Sequence, residues 1–304
     1  MKPNPGPARP AGAVRRPKHT GVPLKRDIIA RRLRSAGETA TAAVVIDRDR
    51  LEAIVREAGA MALAAWPGHG HALDWWEKSP NNPVCTADLA VDAFLRRELE
   101  ALLPDSGWLS EETADHPERL AREMCWLVDP IDGTRDFVRG RPGWAVSVAL
   151  VRAGRPLLGL LCAPARGELW YAEAGRGAWR NGASLSASRR STLAGARVPT
   201  DRLASPDRDL TMVTKPNSIA LRIAMVAAGE ADLVATLRWG YEWDIAAATL
   251  IASEAGGAVG DAFGHPLAYN KPDPRAFGVL VSAPGIHAAA VSRLSERAGR
   301  LSVQ

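Results

Sequence analysis

Residues 126–136 read Trp126-Leu-Val-Asp129-Pro-Ile-Asp132-Gly-Thr134-Arg-Asp136. An apolar, strand-like run ends in two carboxylates and passes straight into a Gly-Thr turn. Carboxylates at a strand end grip hard divalent cations, and a glycine turn that opens a helix offers backbone N–H groups to an anion. These few residues therefore combine the makings of a metal site and a phosphate site.

Working outward, Mg²⁺ takes oxygen ligands in near-octahedral geometry, and two such ions about 4 Å apart need more than two carboxylates. Upstream, Gly107-Trp-Leu-Ser-Glu111-Glu112-Thr113 offers two more after a short apolar run. Downstream, Tyr241-Glu242-Trp243-Asp244 opens a small-residue helix stopped by Gly256-Gly257. There Asp244 occupies the first turn, where the helix dipole favours negative charge. Each piece alone has a bland reading: a solvated acidic pair, a helix cap, a tight turn. Their conjunction, in this order and in these contexts, points to one site.

The rest of the chain reads as alternating helices and strands. Residues 47–66 form an amphipathic helix capped by Asp47 and stopped at Pro67-Gly68, and residues 88–102 form another. Strands are expected at 126–128, 145–151 and 157–162, with 168–172 and 177–179 continuing the sheet. After a polar stretch at 190–210 come a strand at 210–214, a helix at 218–228, a strand at 231–236 and a helix at 244–255. This alternation indicates layered α/β. Three divisions are expected: a tail at 1–44, an α/β half at 45–190 carrying most candidate ligands, and an α/β half at 191–304.

Charge is concentrated in the tail. Residues 1–38 hold ten Lys or Arg against Asp27 and Glu38, a net of +8, while the whole chain is +5, so the remainder sums to −3. The tail is rich in Pro and Gly, lacks aromatics to stack on bases, and reads as a disordered extension or a start-codon artefact. Within it, 27–35 has the pattern of a short basic helix. Cys85, Cys125 and Cys162 show neither paired nor metal-type spacing, which makes a reducing cytoplasm the simplest setting. No apolar run reaches the roughly 18 residues of a membrane span, and the start is no secretory signal. The tryptophans number ten, and Trp108, Trp126, Trp144 and Trp243 beside the motifs read as core. Trp75 and Trp76 precede Lys78 in a segment expected to cover the site.

The motifs resemble those of the inositol monophosphatase superfamily, most closely its bacterial 3'(2'),5'-bisphosphate nucleotidases. The matching elements are Pro83-Val-Cys-Thr-Ala-Asp88, Trp108-Leu-Ser-Glu-Glu112, Asp129-Pro-Ile-Asp-Gly-Thr134, Asn181-Gly182, and Trp243-Asp244 followed by Glu254-Ala-Gly-Gly257. The resemblance implies a five-layer αβαβα sandwich with metals between its halves. It assigns Glu111, Asp129 and the Ile131 carbonyl to a first Mg²⁺, and Asp129, Asp132 and Asp244 to a second. Glu111 would also help hold a weaker third ion. Thr134 and Asp88 would form a hydrogen-bonded pair that orients and deprotonates the attacking water, the N–H groups of Gly133 and Thr134 would bind phosphate, and Lys78 would close over the metals from a mobile loop. Lithium inhibition and a homodimer are further expectations of the resemblance.

Substrate choice rests on three local features. Arg135-Asp136-Phe137 follows the nucleotidase pattern rather than the Thr-Asn-Phe typical of inositol enzymes. Leu237 stands where inositol enzymes carry a glutamate for ring hydroxyls, and Glu242-Trp243-Asp244 resembles the nucleotidase sequence. The expected reaction is conversion of adenosine 3',5'-bisphosphate to AMP and phosphate, in sulfur assimilation and nucleotide salvage. Arg135, Arg238 and Glu242 are candidate substrate contacts, with Lys215 and Arg222 as further cations. The alternatives are an inositol-1-monophosphatase, a sugar bisphosphatase acting on fructose 1,6-bisphosphate, and an inactive RNA-binding member, the last opposed by the complete ligand set.

Overall fold

Short, nearly continuous apolar runs between residues 107 and 184 build one seven-stranded sheet whose central strands are buried on both faces. The computed structural model describes Met1 and residues 46–70, 73–79 and 82–302; the rest of the basic tail and the helix expected at 27–35 lie outside the described residues. Helix α1 (Arg48–Ala65) begins at Asp47, whose carboxylate accepts the Arg50 N–H at 3.1 Å, and ends before Pro67. Its buried stripe, Leu51, Ile54, Val55, Ala58 and Ala62, follows the helical repeat. A hairpin of β1 (Trp75–Ser79) and β2 (Asn82–Cys85) leads directly into α2 (Thr86–Leu102). The segment expected as a covering loop is thus paired strand, with Trp75 and Trp76 exposed on it.

The large sheet then runs through β3 (Gly107–Ser110), β4 (Met124–Asp132), β5 (Ala145–Arg152), β6 (Arg155–Ala163), β7 (Glu168–Glu173), β8 (Gly177–Arg180) and β9 (Ala183–Ser184), in that spatial order. Only the β3–β4 pair is parallel; the others meet as antiparallel neighbours. Between β4 and β5 the short helix α3 (Thr134–Val138) turns the chain. A small parallel pair, β10 (Arg197–Pro199) and β11 (Thr211–Val213), fills the polar stretch. Then follow α4 (Ile219–Ala227), β12 (Leu233–Tyr241), α5 (Glu242–Glu254), β13 (Ala258–Gly260), β14 (Arg275–Ser282) and α6 (His287–Ser302).

The second sheet has the order β12-β14-β13. Helices α1 and α2 pack together against the seven-stranded sheet; α4 and α5 pack together between that sheet and the second one, and α6 packs on β12 and β14. This stacking is the αβαβα sandwich. The middle layer explains the composition of α5: Ile245 to Ala252 is buried throughout, because sheets lie on both sides of it. Each fully buried Leu or Ile contributes about 1.5–3 kcal/mol. Strand β12 runs five residues past its expected end at Thr236, and this extension walls the site. Trp108, Trp126, Trp144 and Trp243 are core, as their apolar settings implied. No helix among the described residues is long and apolar enough to cross a membrane.

Candidate functional site

The site begins with an irregularity in β4. Asp129 pairs with Ser147 and Asp132 with Ala145, so three steps on β4 are matched by two on β5. In a regular strand, residues three apart face opposite sides of the sheet. The extra residue, beside Pro130 with its missing N–H, undoes that alternation and lets both carboxylates serve one site. Asp129 Oδ1 accepts the Ile131 N–H at 3.0 Å. Gly133 follows with φ +95°, and a Cβ there would lie 2.7 Å from the Gly143 carbonyl oxygen, so glycine alone fits the turn into α3.

Three helix starts bring further carboxylates. Asp88, in the first turn of α2, accepts the Cys85 N–H and the Cys85 thiol, each at 2.8 Å. Asp244, in the first turn of α5, accepts the Tyr241 N–H at 3.2 Å. Asp132 reaches the start of α4 and accepts Ser218 Oγ at 2.5 Å and the Ala220 N–H at 2.7 Å. Capping and membership of the site are therefore the same role for these residues. Glu111 sits just past the end of β3, its N–H on the Val128 carbonyl at 3.3 Å.

Glu111, Asp129 and Asp244 offer carboxylate oxygens that all lie within 4.8 Å of one another. Their protonation shows how poorly this charge is balanced by protein alone. Burial, followed by the charges of Glu111, Asp132, Asp244 and Asp88, pushes the Asp129 carboxyl well above the usual range. Burial, with Asp132 and Glu111 behind it, does the same to Asp244, against the Tyr241 N–H and the Arg238 charge. Burial also raises Asp132, opposed by Ser218 and Ala220. Asp88 rises to about 7, mainly through burial. Clustered oxygen donors that raise one another's pKa fit a hard divalent cation, whose charge would relieve them.

Several expectations change. The Thr134–Asp88 hydrogen bond does not occur among the described residues: Thr134 Oγ1 donates to the Ile131 carbonyl at 3.0 Å, and Asp88 is taken by Cys85. Glu242 is no substrate contact. It is fully buried, accepts the Asn270 N–H at 2.5 Å and pairs with Lys271 Nζ at 3.2 Å, anchoring that loop beneath α5. Leu237 packs against the cluster containing Leu193, Leu233 and Leu280, while Arg238 is the neighbour that lines the cleft beside Asp244. Arg135 is exposed on α3, and Asp136 accepts the Asn217 N–H at 3.0 Å, a structural tie. Lys215 pairs with Asp201, and Arg222 donates to the Asn217 and Ser218 carbonyls. Lys78 lies on β1, and its side chain is outside the described set.

Sequence reading missed Asp92. One turn after Asp88 on α2, its carboxylate accepts from Ser110 Oγ and, at 2.5 Å, from Thr113 Oγ1, bracketing Glu111 and Glu112 from both sides. The four-residue spacing from Asp88 was the available signal, since it puts both on one helix face.

The profile of the inositol monophosphatase family matches residues 47–300. The 3'(2'),5'-bisphosphate nucleotidase CysQ of Aggregatibacter actinomycetemcomitans is 34% identical over 208 residues, 64% of this chain and 77% of that protein. Inositol monophosphatase 2 of Solanum lycopersicum is 34% identical over 199 residues, 60% of this chain and 75% of its own. Among solved structures, an inositol monophosphatase of Thermotoga maritima superposes with a TM-score of 0.71 at 28% identity, covering 83% of this chain and 99% of that one. With the family match running from the cap of α1 to the last helix, and the acidic strand end at its centre, the chain belongs to the inositol monophosphatase family of metal-dependent phosphatases.

Proposed function

We propose that this phosphatase is a Mg²⁺-dependent 3'(2'),5'-bisphosphate nucleotidase that converts adenosine 3',5'-bisphosphate to AMP and inorganic phosphate. The observation that carries the phosphoester chemistry is the meeting of Glu111, Asp129 and Asp244 within 4.8 Å. Glu111, Asp129 and the Ile131 carbonyl would hold one ion, Asp129, Asp132 and Asp244 a second, and Glu111 would share a weaker third. Mg²⁺, when bound, supplies positive charge to the phosphate oxygens and acidifies nearby water.

The chain's own groups do the rest. Asp88 takes the proton of the attacking water. The Thr134 hydroxyl has its proton on the Ile131 carbonyl, which leaves its lone pairs free to accept from that water and aim it. The N–H groups of Gly133 and Thr134, at the start of α3, position phosphate oxygens. Phosphoryl transfer needs mostly positioning and charge, so direct in-line attack requires no covalent intermediate.

The nucleotide reading is supported by Arg238 in the cleft beside Asp244, a cation suited to a second phosphate. The relatives named nucleotidase and inositol monophosphatase match this chain equally well, so identity does not decide between them. The test is Mg²⁺-dependent phosphate release from adenosine 3',5'-bisphosphate and from inositol 1-phosphate, compared by kcat/KM. A preference of about tenfold or more for the nucleotide is expected. Preference for the inositol ester refutes the substrate assignment and leaves the metal chemistry standing; release from neither ester refutes the site.

A further inference from the structure

Glu111 and Asp244 reach the site from distant parts of the chain, the segment after β3 and the start of α5, and a buried polar network ties those parts together. Arg119, in the single helical turn Pro117–Ala121, is 3% exposed. Its Nε and Nη2 donate to the Asp115 carboxylate at 2.6 and 2.8 Å. Its Nη1 donates to Asn270 Oδ1 at 2.6 Å, and Nη2 also donates to the Lys271 carbonyl at 2.9 Å. These last two partners are 151 and 152 residues away, so the tertiary fold makes the tie and local preference does not. From Asn270 and Lys271 the network enters α5. The buried Glu242 accepts the Asn270 N–H at 2.5 Å and the Lys271 N–H at 3.3 Å, and pairs with the Lys271 ammonium at 3.2 Å.

Each end of this network stops just short of a candidate metal ligand. Asp115 follows Glu111 by four residues, and Thr113 between them is tied to Asp92, which leaves that segment little slack. Glu242 precedes Asp244 by two residues and opens the same helix. The start of β3 is fitted to the turn as well, since a Cβ on Gly107 would lie 2.9 Å from the Cβ of Arg119. Two cations, Arg119 and Lys271, face two carboxylates, Asp115 and Glu242, so the network is neutral and sends no net charge toward the site. Paired buried charges add little stability over well-packed apolar groups of the same volume. What they fix is distance and angle.

We propose that Arg119, acting through Asn270 and Glu242, is a positioning residue that sets the separation of the Glu111 and Asp244 carboxylates and thereby the Mg²⁺ affinity of the site. This rests on the metal reading above and is independent of which ester is hydrolysed. Buried carboxylates that repel one another stay together only if the segments carrying them are held. Mg²⁺ demands near-ideal octahedral geometry, so a small displacement of one ligand segment weakens its binding. A guanidinium suits the task because its planar fork can grip a carboxylate, an amide oxygen and a carbonyl at once, which an ammonium cannot.

The experiment is titration calorimetry of Mg²⁺ into the metal-free full chain, without substrate. In Arg119→Met the Kd for Mg²⁺ should rise about ten- to hundredfold. The direction is diagnostic, because deleting a cation would by charge alone leave Mg²⁺ affinity unchanged or raise it. Asn270 has φ +54°, a conformation glycine adopts readily, so Asn270→Gly keeps the N–H on Glu242 and loses the acceptor for Arg119. Its Kd should also rise, by about tenfold, and it decides the matter if Arg119→Met does not fold. The double variant should bind Mg²⁺ no more weakly than Arg119→Met, since both substitutions cut one link. A lowered Tm with a wild-type Kd in either folded variant would make the network a structural tie alone and overturn the proposal, with the metal reading intact. Additive losses in the double variant would overturn it too. A wild type that binds no Mg²⁺ overturns both the proposal and the metal reading.

Discussion

Asp88→Asn is expected to stabilise the metal-free protein while removing its activity. The carboxylate is 2% exposed, and burial first, then the charges of Glu112 and Glu111, raise its pKa from 3.8 to about 7 against the hydrogen bonds from Cys85. That shift of about 3 units corresponds to roughly 4 kcal/mol at about 1.4 kcal/mol per unit. The folded state holds the proton more tightly than the unfolded chain does. Stability is therefore lost as pH rises from 3.8, and the loss is complete above about 7. At about pH 8 the wild type carries the whole penalty; at about pH 5 only the unfolded chain has ionised, and the penalty is about 2 kcal/mol. Asparagine keeps the shape, and its amide oxygen can still accept from the Cys85 N–H and thiol, but it has no charge to bury. Thermal unfolding in a chelator should show Tm raised by about 5–8 °C at about pH 8 and by about half that at about pH 5, taking about 2 °C per kcal/mol. Turnover with Mg²⁺ should fall by about 10²–10⁴. A variant no more stable than wild type at the higher pH, a gain independent of pH, or undiminished turnover would each refute the reasoning.

Asp129→Asn should abolish turnover while leaving the fold intact, and should also erase the rise in Tm that Mg²⁺ gives the wild type; an intact metal response would remove Asp129 from the ligand set. In the wild type that rise should be larger at about pH 8 than at about pH 5, because protons compete with the cation for carboxylates whose pKa values are raised. Asp92→Ala frees Ser110 and Thr113 on either side of Glu111, so the Mg²⁺ concentration for half-maximal activity should rise about ten- to hundredfold. Equal Mg²⁺ titrations for the two proteins would show that the bracket does not position Glu111. Gly133→Ala meets the Gly143 carbonyl at 2.7 Å in a left-handed backbone and should lose more than about 2 kcal/mol in chemical unfolding; full stability would mean the turn can relax.

The large sheet and its helices were legible because its strands are short, nearly continuous apolar runs, because α1 carries an apolar stripe, and because Asp47, Pro67 and Gly256-Gly257 punctuate the ends. The hairpin at 75–85 was not, since a proline in one run and two adjacent tryptophans in the other give no period-two sequence pattern. The site was legible in residue type and less so in direction. Strand reading assumes that alternate residues share a face, and both site strands break this rule where chemistry is expected, at Asp129–Asp132 and at Thr236–Trp239. Hence Leu237, which stands where inositol enzymes carry a substrate-binding glutamate, packs on the Leu193, Leu233 and Leu280 cluster, while Arg238 beside it lines the cleft. Glu242 was misread for a different reason. Its partners, Asn270 and Lys271, are 28 and 29 residues away, and no local pattern announces such a tie.

The same magnitudes explain why helix starts alone cannot complete the site. Asp88, Asp132 and Asp244 each sit at the positive end of a helix, which is worth about 0.3–1 kcal/mol and up to about 2 when partly buried. Burial raises Asp88 by roughly 4 kcal/mol even after its two hydrogen bonds have acted. The dipoles and caps therefore fix where the carboxylates point but leave their charge uncompensated. Moving any of them to the surface would relieve that strain and disperse the cluster, so the instability is a direct consequence of holding hard oxygen donors together in a buried place. A cation is the one partner that turns the arrangement from costly to favourable. Metal affinity and metal-free instability then have a common origin, and substitutions that raise metal-free stability by removing a clustered carboxylate should weaken metal binding.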